Sequence, residues 1–200
     1  MNTITYIVGD SLYVNITNRC TNRCEFCIRN LGDGAYGSNS LWLDSEPTEK
    51  EIIESILSHD LTKYKELVYC GYGEPMMRVK ELVASAKAVK EVYDIKIRIN
   101  TNGHGNFIHK SDITPMLDGC IDVVSISLNS STEEGYAEVC HPVFSGALEQ
   151  IKEFAGLVKE HVPTVIFSVV ETTVPDEDIE GCKAIANELG IPLRIRELVK

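Results

Sequence analysis

Three of the chain's seven cysteines, Cys20, Cys24 and Cys27, fall in one short stretch. Thiolates spaced by four and three residues in a loop can converge on one soft metal centre. Zinc is the obvious rival, but a structural zinc site wants four ligands, usually as two pairs. Cys70, Cys120, Cys140 and Cys182 stand far apart in sequence and form no second pair. Three thiolates on a cubane of four irons would leave one iron open, a reactive position that a bidentate amino-acid group can occupy. A disulfide framework is the weaker reading, since the cysteine count is odd and the context looks reducing. Inert buried thiols would need no fixed spacing.

The elements around the loop must position it. Residues 4–8 and 11–17 are β-rich runs joined by Gly9-Asp10, which predicts an opening hairpin. The cysteines follow the second of these strands. Thr48, with Glu51 three residues on, predicts a capped helix whose apolar face is Ile52, Ile53, Ile56 and Leu57. A strand over 66–70 follows, then a helix marked by Val79, Leu82, Val83, Ala86 and Val89, then a strand over 95–101. The pattern next predicts a short helix over 111–117 and a strand over 121–128. Phe144, Ala147, Leu148, Ile151, Phe154, Ala155 and Val158 make the clearest amphipathic helix. A strand over 164–170 precedes a helix opened by Pro175 and ended by Gly190, and the last strand runs over 193–198.

Six strands alternating with helices imply a parallel sheet with right-handed crossovers, either open and doubly wound or curved into an incomplete barrel. The strand faces favour the barrel. Ser125, Ser127 and Asn129 oppose Val124, Ile126 and Leu128; Lys96, Arg98 and Asn100 oppose Ile95, Ile97 and Ile99; Arg194 and Arg196 oppose Leu193 and Ile195. A parallel sheet covered on both sides wants two apolar faces. A polar inner face suggests a lumen holding a polar ligand, with charged residues near an open edge as the plain alternative. The fold expected is therefore α/β, a partial (β/α)6 barrel with an N-terminal β-hairpin. The cysteine loop would then sit on the C-terminal rim, where such barrels build active sites.

At 200 residues and 44% hydrophobic content, with no linker-like run and no internal repeat, a single domain over residues 1–200 is expected. The net charge of −11 argues against a nucleic-acid binder that tracks phosphates, though not against a nucleotide ligand. No basic stretch followed by an apolar run opens the chain, and no apolar segment approaches the roughly 18 residues of a membrane helix. A cytoplasmic protein without membrane association is the expectation.

The C-x3-C-x2-C arrangement, with Phe26 before the last cysteine, resembles the signature of the radical S-adenosylmethionine (SAM) superfamily. The resemblance runs on through Cys70-Gly71-Tyr72-Gly73-Glu74-Pro75, similar to the family's glycine–glycine–glutamate segment, and Asn100-Thr101-Asn102-Gly103, similar to its Thr-Asn-Gly turn. It implies a [4Fe–4S] cluster on Cys20, Cys24 and Cys27 and S-adenosylmethionine as second cofactor. Gly71, the Tyr72 backbone, Gly73 and Glu74 would meet the methionine amino group. Ser125, Ser127 and Asn129 would meet the ribose or carboxylate, and Asn100 and Asn102 would border the same ligand. Phe26 and Ile28 would lie beside the adenine, with Val169, Val170 and Glu171 a looser match for that role. Tyr72 departs from the family pattern, where a second glycine is usual. With His141-Pro142 before a long helix, the chain looks most like the small TatD-associated radical SAM proteins.

The activity so implied is reductive cleavage of S-adenosylmethionine to a 5′-deoxyadenosyl radical that takes hydrogen from an unidentified substrate. Flavodoxin or ferredoxin would supply the electron. Arg29, Tyr36, Trp42, His104, Lys96, Arg98, Arg194 and Arg196 are candidate substrate contacts, each with a solvated loop or rim as the plain alternative. Cys70 and Cys140 could donate hydrogen or be inert thiols. His59, His109 and His161 read as surface residues. The open side of a six-strand barrel calls for a homodimer or a large substrate to cover it. Two other functions stand beside this one: a glycyl-radical activase acting on a partner protein, and an iron–sulfur electron carrier or redox sensor without radical chemistry.

Overall fold

Among the described residues of the computed structural model, 2–171 and 173–198, seven strands form one sheet in chain order. Met1, Thr172, Val199 and Lys200 belong to the expected 1–200 domain and lie outside the described residues. β1 (Thr5–Val8) pairs antiparallel with β2 (Ser11–Val14) across Gly9-Asp10, where Gly9 takes a φ of 59°. All later pairings are parallel: β3 (Glu66–Tyr69), β4 (Lys96–Thr101), β5 (Val123–Ser127), β6 (Thr164–Val170) and β7 (Leu193–Arg196). The order never reverses, so the sheet lacks the switch point of a doubly wound fold and winds as a partial barrel.

The alternation on the strands is borne out where the sheet is central. Ile97, Ile99, Val124 and Ile126 are fully buried, while Arg98, Asn100, Ser125 and Ser127 between them are partly open. β7 is the exception. Ile195 is 43% exposed, because an edge strand has no neighbour to cover its outer side.

α1 (Glu49–Leu57) begins at Thr48, which forms the predicted capping box with Glu51. Its buried residues are Ile52 and Ile56; Leu57 is exposed. α2 (Val79–Val92) buries Val79, Leu82, Val83, Ala86 and Val89 as expected. The helix foreseen at 111–117 is a single 3-10 turn, Thr114–Leu117, and α3 (Gly105–His109) precedes it. α4 (Glu133–Cys140), also unforeseen, leads into α5 (Ala147–Val158). Leu148, Ile151, Phe154 and Val158 of α5 enter the core at about 1.5–3 kcal/mol each. α6 (Asp176–Leu189) follows Pro175 and stops at Gly190, whose φ is 60°. No described helix is long and apolar enough to cross a membrane.

Candidate active site at the cysteine loop

The segment after β2 is held by polar side chains that the strand ends supply. Asn15, fully buried, donates to the Leu41 carbonyl (2.7 Å) and accepts from the Tyr72 N–H (3.3 Å). Asn18 exchanges hydrogen bonds with the backbone of Leu43 (2.8 and 3.1 Å). Arg19 meets both oxygens of Glu46 (2.7 and 3.0 Å). Arg78, nearly buried, donates to the carbonyls of Ile16 (3.2 Å) and Pro47 (2.5 Å) and pairs with Glu81 (2.9 Å). The loop thus leaves β2 along one fixed course.

Further on, the loop leans on α3 and α4. Thr21 accepts from Asn102 Nδ2 (2.8 Å) and hydrogen-bonds His104 Nδ1 (3.0 Å). Asn22 donates to the Tyr136 hydroxyl (2.8 Å), and the Arg23 N–H donates to the Cys140 carbonyl (2.9 Å). His104 is not the rim residue the sequence suggested. It is fully buried, packed edge-on against Tyr136 and Phe144, and burial lowers its pKa to about 4. Its neutral ring braces the loop.

Cys20, Cys24 and Cys27 line one cavity of about 580 Å³. Phe26 and Gly71 line it too, as do Glu74, Asn100 and Asn102, and so do Ser125, Ser127 and Asn129. Tyr72 and Gly73 do not. The Tyr72 ring turns away from the cavity, donates its hydroxyl to the Gly32 carbonyl (2.8 Å) and meets Trp42 edge-on at 5.1 Å. It pins the segment that follows the cluster loop. The glycines also have a packing role. A Cβ on Gly71 would strike the Asn15 side chain, and one on Gly73 the carbonyls of Thr17 and Arg19. Both are small so that this turn can lie against the cysteine loop.

Glu74 is 3% exposed. Its Oε1 accepts from Met76 N (2.9 Å) and Thr101 Oγ1 (2.7 Å), and Oε2 from Asn102 N (2.7 Å). Burial nonetheless raises its pKa to about 7, against those hydrogen bonds. Oε2 keeps one acceptor position free.

Burial pushes the Cys20 thiol up to about 12 and raises Cys27; Cys24 is raised first by its contact with Cys140 and then by burial. Arg29 is the cation that opposes this at all three. Thiols in this setting give up their protons to a bound metal. Asn22 N and Asn102 Nδ2 point at Cys20 Sγ (3.4 and 3.8 Å), the kind of contact that tunes a metal-bound sulfur. Among the described residues no three Cys, His or acidic side chains converge on a single-ion site. Three thiols lining one cavity suit a cluster in which each thiolate meets a different iron. Asn22 Oδ1 and Asn129 Oδ1 are buried without a partner, and both residues line the same space. These features fit an iron–sulfur cluster and a ligand rich in donors.

The sequence profile of the radical SAM superfamily matches residues 14–183. The chain belongs to the radical SAM superfamily. Members of this superfamily use a [4Fe–4S] cluster and S-adenosylmethionine. Among relatives, the GTP 3′,8-cyclase of Lactiplantibacillus plantarum is 26% identical over 164 residues, 80% of this chain and 45% of the cyclase. The chain thus spans about half the length of the curated relatives it matches. Among solved structures, Streptococcus suis SuiB bound to S-adenosylmethionine superposes with a TM-score of 0.67 at 17% identity, over 94% of this chain and 38% of SuiB. Native anSMEcpe with bound AdoMet gives 0.64 at 14% identity, over 94% and 51%. Both are likenesses of fold, the partial barrel of radical SAM proteins.

Asn22 escaped the sequence reading of this radical SAM site, and Arg29 and Cys140 make contacts there that it did not foresee. Asn22 carried no signal beyond its place between two cysteines. Arg29 was noted only as a substrate contact, yet its Nη2 donates to the Asn22 carbonyl (3.1 Å) beside the thiols. Cys140, far away in sequence, touches Cys24 and accepts from Asn129 Nδ2 (3.4 Å), but it does not line the cavity. Of the proposed substrate contacts, Tyr36, Arg98, Arg194 and Arg196 line the cavity, whereas Trp42 and Lys96 do not.

Proposed function

We propose that the chain is a radical SAM enzyme, with Cys20, Cys24 and Cys27 as iron ligands and a substrate still to be identified. The observation that carries this reading is that these thiols share one cavity with Glu74, Asn102, Ser125, Ser127 and Asn129. When bound, the cluster and S-adenosylmethionine supply a 5′-deoxyadenosyl radical able to take hydrogen from a substrate. The chain's own residues bind and orient. Glu74 offers its free Oε2 acceptor position to an ammonium, and an ammonium beside it favours the ionised carboxylate. The half-buried hydroxyls of Ser125 and Ser127 face the same space for a carboxylate or ribose, and Phe26 offers an aromatic edge for a base. Asn102 divides its side chain between Thr21 and Cys20, so it positions the loop. Asn100 accepts from Arg98 (2.7 Å) and belongs with the substrate end of the cavity.

The same reading takes the chain as a single domain over residues 1–200, most like the small TatD-associated radical SAM proteins, and working in the cytoplasm with flavodoxin or ferredoxin as reductant. A homodimer or a large substrate would cover the side between β1 and β7. The electron-carrier reading needs a fourth ligand: Cys140 touches Cys24 but does not line the cavity, whereas Cys70 lines it beside Arg98 and Arg196 and is the thiol that reading would use. Electron paramagnetic resonance of the anaerobically reduced, cluster-loaded protein tests the proposal. The spectrum should change on adding S-adenosylmethionine and change less in Ser125→Ala and Ser127→Ala. An intact cluster whose spectrum ignores S-adenosylmethionine would favour the carrier.

A further inference from the structure

A second set of groups shares the cavity: Arg98 on β4, Arg194 and Arg196 on β7, with Tyr13, Tyr36 and Cys70. Arg98 is already neutralised. Its Nη2 and Nε meet Glu66 (2.6 and 3.1 Å). Arg194 and Arg196 differ. They stand two apart on one strand, so both project to the same face, and neither makes an ion pair among the described residues. Arg196 Nε is buried with no hydrogen-bond partner. Burial and the neighbouring Arg194 charge both act against the Arg196 cation. Glu197 borders the same rim but is exposed and bonded to neither. In a chain of net charge −11, this unmatched pair of guanidiniums does not come from a shortage of carboxylates. Arg194 is exposed, but Arg196 is half-buried with its Nε unmet, and such a group is costly and points to a missing anion.

The segment over the cavity adds an independent observation. Ser38 N donates to the Ala35 carbonyl (3.0 Å), closing a turn whose central residues, Tyr36 and Gly37, have φ of 55° and 80°. Two left-handed central residues are ordinary for Asn-Gly and strained for a tyrosine. The strained residue is the one that lines the cavity, within electrostatic reach of Arg196, Tyr13 and Cys70.

We propose that the substrate carries a phosphate-type dianion, held by the guanidiniums of Arg194 and Arg196 and by the Tyr36 hydroxyl. This rests on the radical SAM reading of the same cavity. A carboxylate would neutralise one guanidinium, whereas a phosphate monoester carries about −1.5 to −2 and three strong acceptor oxygens. Each guanidinium can donate two parallel hydrogen bonds to it.

Isothermal titration of the anaerobic, cluster-loaded protein with inorganic phosphate, S-adenosylmethionine present, tests this, with acetate as the monoanionic comparator. Saturable phosphate binding is expected. Arg196→Gln and Arg194→Gln should each weaken it about tenfold, Arg196→Lys less, and Lys87→Gln, on the exposed face of α2, not at all. Tyr36→Asn should raise the thermal midpoint by relieving the turn and yet weaken phosphate binding. No saturable binding, equal binding in Arg196→Gln, or acetate as tight as phosphate would overturn the proposal. Substrate-free 5′-deoxyadenosine formation by the same wild-type sample reads the enzyme assignment alone. Phosphate binding without it removes the radical reading and keeps the anion site; its presence without phosphate binding does the reverse.

Discussion

Replacing His104 by glutamine should change how stability depends on pH. In the folded chain the His104 pKa is lowered to about 4, because the ring is buried between Thr21, Tyr136 and Phe144. Unfolded, it returns to its ordinary value of 6.5. Protons therefore bind the unfolded chain more tightly. The stability that His104 contributes is fully present above its unfolded pKa and drains away as pH falls towards its folded one. Linkage puts the loss between about pH 7.5 and about pH 5 at roughly 2 kcal/mol, and at about 3 kcal/mol below both values. Glu74 acts in the opposite sense. Burial raises its folded pKa to about 7, so its contribution is present at low pH and lost as pH rises through that value. Glu74 is common to wild type and variant, so the difference between their curves isolates His104. Urea unfolding of the reduced, cluster-free chain at several pH values measures it. The gap between the proteins should close by roughly 2 kcal/mol on acidification to about pH 5. Parallel curves, or a His104 ring resonance titrating near its ordinary value, would refute a buried neutral imidazole under the cysteine loop.

Three other substitutions follow from the same geometry. Arg78→Gln removes the Glu81 pair and two donors to loop carbonyls, and should cost about 3 kcal/mol, seen as a lowered urea midpoint. Gly73→Ala puts a methyl group against the carbonyls of Thr17 and Arg19, so the loop must move; iron bound per chain after reconstitution should fall while the circular dichroism changes little. Thr48→Ala breaks the capping box of α1 and should cost about 1 kcal/mol, with iron binding unchanged.

Much of the fold was legible because it rests on periodicity. The alternation at Ile97, Ile99, Val124 and Ile126 marks buried positions on strands, and the five apolar residues of α2 are all buried. The unforeseen α4 has a physical reason. It spans eight residues, includes Gly135 and buries only Tyr136 and Cys140, so it shows no apolar stripe long enough to read. α3 is shorter still. In the site, the cysteine spacing was visible because the chemistry itself constrains sequence separation. The supports were not, since they cross from one element to another: Asn22 to Tyr136, Thr21 to His104, Cys140 to Cys24. Gly71 and Gly73 stand out in the sequence, but their packing against Asn15, Thr17 and Arg19 exists only in three dimensions.

If three thiols hold a cluster with an open iron, the chain cleaves S-adenosylmethionine. Mass spectrometry for 5′-deoxyadenosine, after anaerobic reconstitution with iron and sulfide and addition of dithionite and S-adenosylmethionine, tests it most directly. Product from the wild type that vanishes in Cys24→Ala is the predicted result. No product from protein with a verified [4Fe–4S] cluster, across several reductants, would contradict it.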